Sequence, residues 1–285
     1  CSGAEPSSPG AAWRWRCRTS SPAAARYGVA TAALLAYLWR REGRLPRPST
    51  AQWLAIGVLG ASGIFAYNAF FFGALGRLPA GRAALIIATN PALTALAAWL
   101  IFRLRFAWWQ WLGVAVAFGG VAIVISRGEL ATLGSGAVGT GELLMFGGVL
   151  SWLVYTLVGR AVLRRPDALS PLATTTYASA AGLAMLAAAA AFELPQLERQ
   201  RIGAIEIAAI AYLGLFGTAV AFVWFYEGVK QLGAARTSVF SNLVPVFGVL
   251  LAVAVLGEPL LGSMVAGGLV TLAGVSLTNL ERRAA

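Results

Sequence analysis

Seven stretches of this chain run for at least 19 residues without a charged side chain: 48–76, 83–101, 108–126, 168–192, 207–226, 237–257 and 259–280. An eighth, 143–159, begins just after Glu142, and 19–39 holds a single charge, Arg26. A helix needs about 20 largely uncharged residues to cross the hydrocarbon of a bilayer. The runs are about twice the length of a barrel strand and do not alternate in polarity, so the spanning element is a helix. Nine spans follow, near 20–39, 51–73, 80–102, 108–126, 141–163, 169–192, 205–227, 235–257 and 260–280. The loops are short, so sequence neighbours pack antiparallel. Composition points the same way: of 285 residues 59% are hydrophobic and 12% charged, against roughly 25% charged in soluble domains. That leaves too little polar material to coat a soluble fold of this size. The expected fold class is an all-α polytopic membrane protein.

The charge of +11, from 22 Lys/Arg and 11 Asp/Glu, does not point to nucleic acid. Such binders cluster their cations on a water-facing surface, whereas here the cations punctuate long apolar runs as short membrane loops do. The two cysteines, Cys1 and Cys17, give neither a disulfide framework nor a metal site. Histidine is absent, which removes imidazole catalysis and an imidazole proton relay. Paired carboxylates, a Ser/Lys pair and metal ligands are missing at membrane depth, so no catalytic residue, metal or cofactor is expected. The start at Cys1 reads either as a mature lipoprotein or, with more weight, as a fragment or misread region.

Shifting the chain by 154 residues lays it on itself. Gly60, Gly63 and Phe71 meet Gly214, Gly217 and Phe225; Ala80, Arg82 and Pro91 meet Ala234, Arg236 and Pro245; Gly113, Gly120 and Val121 meet Gly267, Gly274 and Val275. Matched Ala and Leu are common between apolar segments, but an aligned Arg and a mid-span Pro are harder to obtain by chance. The shift carries span 2 onto span 7, five spans on. Five is odd, so the copies enter the membrane from opposite sides, as in the inverted repeats of many secondary transporters. Span 5 then has no partner, and 1–18 cannot span. The expectation is an inverted five-plus-five repeat with nine of ten helices present.

Loops after spans 1, 3, 5, 7 and 9 hold 13 Lys/Arg, and those after spans 2, 4, 6 and 8 hold 5. Positive residues stay inside, which puts the C-terminus in the cytoplasm. Arg14, Arg16, Arg18 and Arg26 would then lie on the wrong side of a nine-span protein, and read as an artefact or the flank of a lost helix.

Polar groups at membrane depth are costly and therefore informative. Pro91 and Pro245 lie mid-span, and each frees the carbonyl four residues back, on Ile87 and Ser241. Asn90 lies beside the first notch, Ser241 and Asn242 beside the second. These amides and hydroxyls either bind solute at the midplane or bond neighbouring helices. Tyr67, Asn68 and Phe71 in span 2, Trp152 and Tyr155 in span 5, and Trp224 and Tyr226 in span 7 combine apolar bodies with polar tips. They suit a cavity for an amphipathic solute, or else core packing and an interfacial belt. Arg82 and Arg236 open spans 3 and 8, where a cation opposes the helix dipole. Their recurrence suggests a gate or an anion contact, with snorkelling to the interface as the alternative. Glu258 and Glu142 stand at helix starts that a carboxylate can cap.

Residues 211–278, with Ala234-Ala235-Arg236, Pro245 and Leu256-Gly257-Glu258-Pro259, resemble the last three helices of the EamA branch of the drug/metabolite transporter superfamily. Residues 74–102 are a weaker version of the same pattern, and Arg103-Leu104-Arg105 replaces the Gly-Glu that the family often carries there. The resemblance covers about 20–280. It implies a non-spanning segment at 1–18, a first EamA repeat at 19–126 lacking its first helix, a second at 141–280 and a cytoplasmic tail at 281–285. It further implies a carrier in a bacterial inner membrane, importing or exporting a small organic metabolite or drug by alternating access. The implied partners are the lipid bilayer and a small organic solute; a coupling ion and a homodimer stay open. The competing reading is a non-transporting membrane scaffold or partner subunit.

Overall fold

The computed structural model describes residues 20–43, 45–102, 107–126, 138–193, 203–233, 237, 243–257 and 259–278. The described chain is helical throughout: α1 (Ser20–Glu42), α2 (Thr50–Leu59), α3 (Tyr67–Leu75), α4 (Ala80–Ile87), α5 (Asn90–Phe102), α6 (Trp108–Ile125), α7 (Thr140–Leu163), α8 (Pro171–Glu193), α9 (Ala204–Gly214), α10 (Ala221–Gln231), α11 (Leu243–Leu256) and α12 (Gly262–Thr278). Among the described residues six helical stretches are long and apolar enough to cross a membrane: Thr50–Leu75, Ala80–Ile101, Trp108–Ile125, Thr140–Leu163, Pro171–Phe192 and Ile207–Gln231, with Gly262–Thr278 a shorter apolar helix. α1 and α11 complete the set of intervals expected from the charge-free runs. The chain is an all-α polytopic membrane protein. Large apolar side chains on the outside, such as Leu54, Trp108, Phe192 and Leu269, suit helices whose solvent is lipid.

Two spans depart from regular α-helix at matching places. A π-helical segment, Gly60–Ala66, joins α2 to α3, and another, Leu215–Val220, joins α9 to α10. The 154-residue shift brings the two together. Within the first, the Tyr67 N–H reaches back five residues to the Ser62 carbonyl. Such wide turns are rare and kink the helix that holds them.

The described chain divides into two compact units, each drawing helices from both sequence halves. In the unit built from 72–146 and 239–285, α6 and α12 pack antiparallel. A Cβ on Gly120 would meet the Gly267 carbonyl at 2.6 Å, and a Cβ on Gly274 would meet the Gly113 carbonyl at 2.7 Å. The shift that equates Gly113 with Gly267 and Gly120 with Gly274 thus crosses over in space, as an antiparallel pair of equivalent helices requires. Contact of backbone on backbone is what small residues permit in lipid. Thr271 and Thr278 return their hydroxyls to the Gly267 and Gly274 carbonyls at 2.8 and 2.9 Å, so the crossing carries no unpaired hydroxyl. Gln110 extends it by donating to the Thr278 carbonyl at 3.1 Å.

In the unit built from 17–71 and 147–238, α1 packs against α8 through Ala30, Leu34, Leu38, Leu172 and Ala173. The Ser170 hydroxyl donates to the Glu42 carboxylate at 2.5 Å, so the end of α1 meets the start of α8. Gly60 lies against the backbone N of Gly182, which lets the first π segment approach α8. α2 begins with a capping box: Ser49 Oγ accepts from the Gln52 N–H and Gln52 Oε1 from the Ser49 N–H. Gln52 then donates to the Asp167 carbonyl at 2.6 Å. α1 and α10 end on Gly43 and Gly233 with positive φ, the left-handed cap that a residue lacking Cβ adopts without strain.

Candidate functional site

The sequence places its candidates in both units, and each unit treats its polar groups differently. In the unit of α4–α6, α11 and α12, span 3 breaks at Ala88–Thr89 between α4 and α5. The break lies where Pro91, lacking an N–H, cannot bond the Ile87 carbonyl. The Thr89 N–H turns to the Ile86 carbonyl at 3.1 Å and its hydroxyl donates to the same oxygen at 2.8 Å. Asn90 follows, 4% exposed, with its Oδ1 lacking a hydrogen-bond partner among the described residues. Pro245 lies in α11. Ser241, Asn242, Arg236 and Glu258 lie outside the described residues.

Arg82, near the start of α4, forms an ion pair with Glu142 at 2.8 Å, both nearly buried, and donates to the Ile125 carbonyl. The other Glu142 oxygen accepts the Gly139 N–H at 3.0 Å, capping α7 as a carboxylate at a helix start does. The cation at the head of α4 is therefore neutralised within its own unit.

The unit of α1–α3 and α7–α10 gathers the aromatic candidates. Trp152 is the hub: its ring centroid lies 5.3 Å from Tyr67, 5.2 Å from Tyr155, 5.4 Å from Phe222 and 5.3 Å from Phe225. Tyr67 and Phe71, one helical turn apart, stack at 5.6 Å, and Tyr155 stacks on Tyr226 at 4.9 Å. Offset and tilted ring pairs of this kind add about 0.5–1.5 kcal/mol each beyond their buried area. Two glycines make room for them. A Cβ on Gly63 would run into the Tyr155 ring, and one on Gly159 would meet Tyr226 Oη at 2.6 Å. The Tyr226 hydroxyl donates to the Tyr155 carbonyl at 3.4 Å. Trp224, by contrast, is 74% exposed and joins none of these ring pairs.

Asn68 lies at the edge of the cluster, 1% exposed. Its Nδ2 donates to the Ile64 carbonyl, inside the π segment, at 2.6 Å, and its Oδ1 accepts from the Arg26 guanidinium at 2.7 Å. Arg26 lies over the Tyr27 ring at 4.9 Å, and Tyr27 meets Phe222 edge-on at 6.3 Å. The backbone of α1 also passes close to the second π segment, with the Arg26 carbonyl 2.8 Å from where a Cβ of Gly214 would be. Tyr67, Asn68, Phe71, Trp152, Tyr155 and Tyr226 are thus brought together. Sequence reading missed Arg26, Tyr27, Phe222 and Phe225. The available signal for Arg26 was its lone charge in an otherwise uncharged run, since a charged side chain within a spanning helix is costly and therefore informative.

The sequence pattern of the EamA-like transporter family matches residues 16–126 and 139–280. The chain is 34% identical over 256 residues to the uncharacterized transporter YyaM of Bacillus subtilis, covering 90% of this chain and 83% of that protein. It is 30% identical over 260 residues to an uncharacterized transporter of Archaeoglobus fulgidus, covering 90% of this chain and 86% of that one. It is also 30% identical over 238 residues to a protein of Streptantibioticus cattleyicolor named a probable terminal-alkyne amino-acid exporter, covering 82% and 75%. A crystal structure 21% identical superposes with a TM-score of 0.68 over 94% of this chain and 90% of the other, and shares the fold.

Proposed function

The chain belongs to the EamA-like transporter family as a multi-pass membrane transporter of small solutes, and on that premise we propose that it is a secondary carrier of small organic metabolites or drugs working by alternating access. The observation that carries this reading is the ring cluster around Trp152 with the buried Asn68 amide at its edge. Aromatic walls with a few oriented polar groups bind amphipathic solutes. Conformational change needs points where a spanning helix can bend. The two π segments and the break before Pro91 supply them. The surplus of Lys/Arg in alternate loops supports a cytoplasmic C-terminus, in a carrier that we read as one of a bacterial inner membrane. The relative named as an exporter favours efflux as the direction.

The test is a flux screen in proteoliposomes over amino acids, nucleobase derivatives and cationic drugs. Trp152→Leu is expected to lower flux of the carried solute about tenfold or more, while Phe192→Ala, on an exposed lipid-facing side chain, leaves it unchanged. If Trp152→Leu carries solute like the native protein, the cluster is not the site. If no solute moves at all, the chain is a scaffold or partner subunit.

A further inference from the structure

Arg26 is held in place without a carboxylate partner among the described residues. Its guanidinium donates to a neutral acceptor, Asn68 Oδ1, at 2.7 Å, and lies over the neutral Tyr27 ring. Its Nε is buried and has no hydrogen-bond partner among the described residues. Asn68 is itself locked from behind by the Ile64 carbonyl of the π segment, so the amide oxygen cannot swing away from the arginine. The ion pair recorded among the described residues joins Arg82 to Glu142 and involves the other unit. A guanidinium offers five donors in a planar fork, and its best complement is a planar oxyanion bound through two parallel hydrogen bonds. The Tyr27 ring lies under this charge and meets Phe222 edge-on, and Phe222 in turn packs against Trp152, whose ring also meets Tyr67.

We infer that Arg26 receives the carboxylate of an amphipathic organic acid whose apolar part lies against the Tyr67 and Trp152 rings. The inference rests on the ring cluster being the solute site. A bound carboxylate would neutralise a charge that meets no carboxylate among the described residues. The same oxyanion chemistry is available from a lipid phosphate, so the experiment separates the two sources.

The full chain is purified and its binding and proteoliposome flux are measured with three probes sharing one ring: 3-phenylpropionate, phenylalanine and phenylethylamine, the last without a carboxylate. Arg26→Gln is expected to raise KM for both acids about tenfold or more and to leave phenylethylamine within twofold. Arg26→Lys should retain part of the acid affinity. Asn68→Asp supplies an internal carboxylate to the same guanidinium. It gives up the bond from Nδ2 to the Ile64 carbonyl and should lose the acids to the same extent; Arg26→Lys, which keeps both the charge and Asn68, decides the matter if the other two fail to fold. Acid KM values within twofold of native in Arg26→Gln, or acids and amine weakened alike, overturn the inference. If Trp152→Leu abolishes flux while Arg26→Gln does not, the ring site stands and the anion assignment falls. If Trp152→Leu has no effect, the site itself is wrong. Acid binding in phospholipid-free detergent that phosphatidylglycerol competitively removes would assign Arg26 to a lipid phosphate and overturn the solute role.

Discussion

Each compact unit holds an arginine on a spanning helix, and the two are treated in opposite ways. Arg82 is compensated: Glu142 pairs with it, the Ile125 carbonyl takes a further donor, and the glycine crossing of α6 and α12 in the same unit leaves its threonine hydroxyls satisfied. Arg26 is merely positioned, by a neutral amide and a ring, in a unit that also buries Thr31, Thr174, Thr175 and Ser179 hydroxyls without partners among the described residues. Both units bury polar atoms without partners among the described residues, Asn90 Oδ1 in the first among them, so what separates the units is the treatment of the charge: a carboxylate meets Arg82, and a neutral amide and a ring meet Arg26. Both π segments belong to the second unit, and wide helical turns recur where function needs a helix to bend.

The contrast is broken most severely at the glycine crossing. Gly120→Leu would drive a side chain into the Gly267 and Thr271 backbone, costing about 3 kcal/mol or more. Folded protein in the membrane fraction should be lost. Gly119→Leu, one residue along where a Cβ meets nothing within 4 Å, should express normally. Next comes the ion pair. Glu142→Gln leaves a nearly buried Arg82 charge uncompensated, at a cost of about 3–5 kcal/mol. The thermal midpoint in detergent should fall accordingly, and Arg82→Met on top of it should recover most of the loss. Gly63→Ala is smaller in stability, about 1–3 kcal/mol, because the Tyr155 ring can tilt away. Its solute KM should nevertheless rise, separating it from a purely structural lesion. The mildest is Pro91→Ala: by restoring a backbone donor it should leave stability unchanged or slightly raised while slowing flux, measurable as a lower turnover at unchanged expression.

Much of this was legible in the chain. Span positions follow from charge-free length, so 108–126 is realised as Trp108–Ile125 and 141–163 as Thr140–Leu163. The glycines of the crossing were legible through the repeat, which equates Gly113 with Gly267 and Gly120 with Gly274; their crossed pairing, Gly113 on Gly274 and Gly120 on Gly267, comes from the antiparallel packing. The break at Ala88–Thr89 follows from Pro91. The π segments were not legible, because nothing in Gly60–Ala66 or Leu215–Val220 fixes a five-residue carbonyl register; tertiary packing, such as Gly60 on Gly182, contributes to setting it. The contacts of Arg26 were not legible, because its partner Asn68 lies 42 residues away and is fixed in turn by a π-segment carbonyl. Tyr226 and Trp224, two positions apart in one helix, look alike in sequence. Helical geometry buries the first against Tyr155 and turns the second outward.

The division of labour between the units is tested most directly by hydrogen–deuterium exchange of the reconstituted full chain with and without saturating phenylalanine. Slowed exchange is expected at 60–71, 149–156 and 215–226, around the rings and both π segments, with the α6–α12 crossing unchanged. Protection confined to α6 and α12, or none at the rings while solute is demonstrably bound, would contradict it.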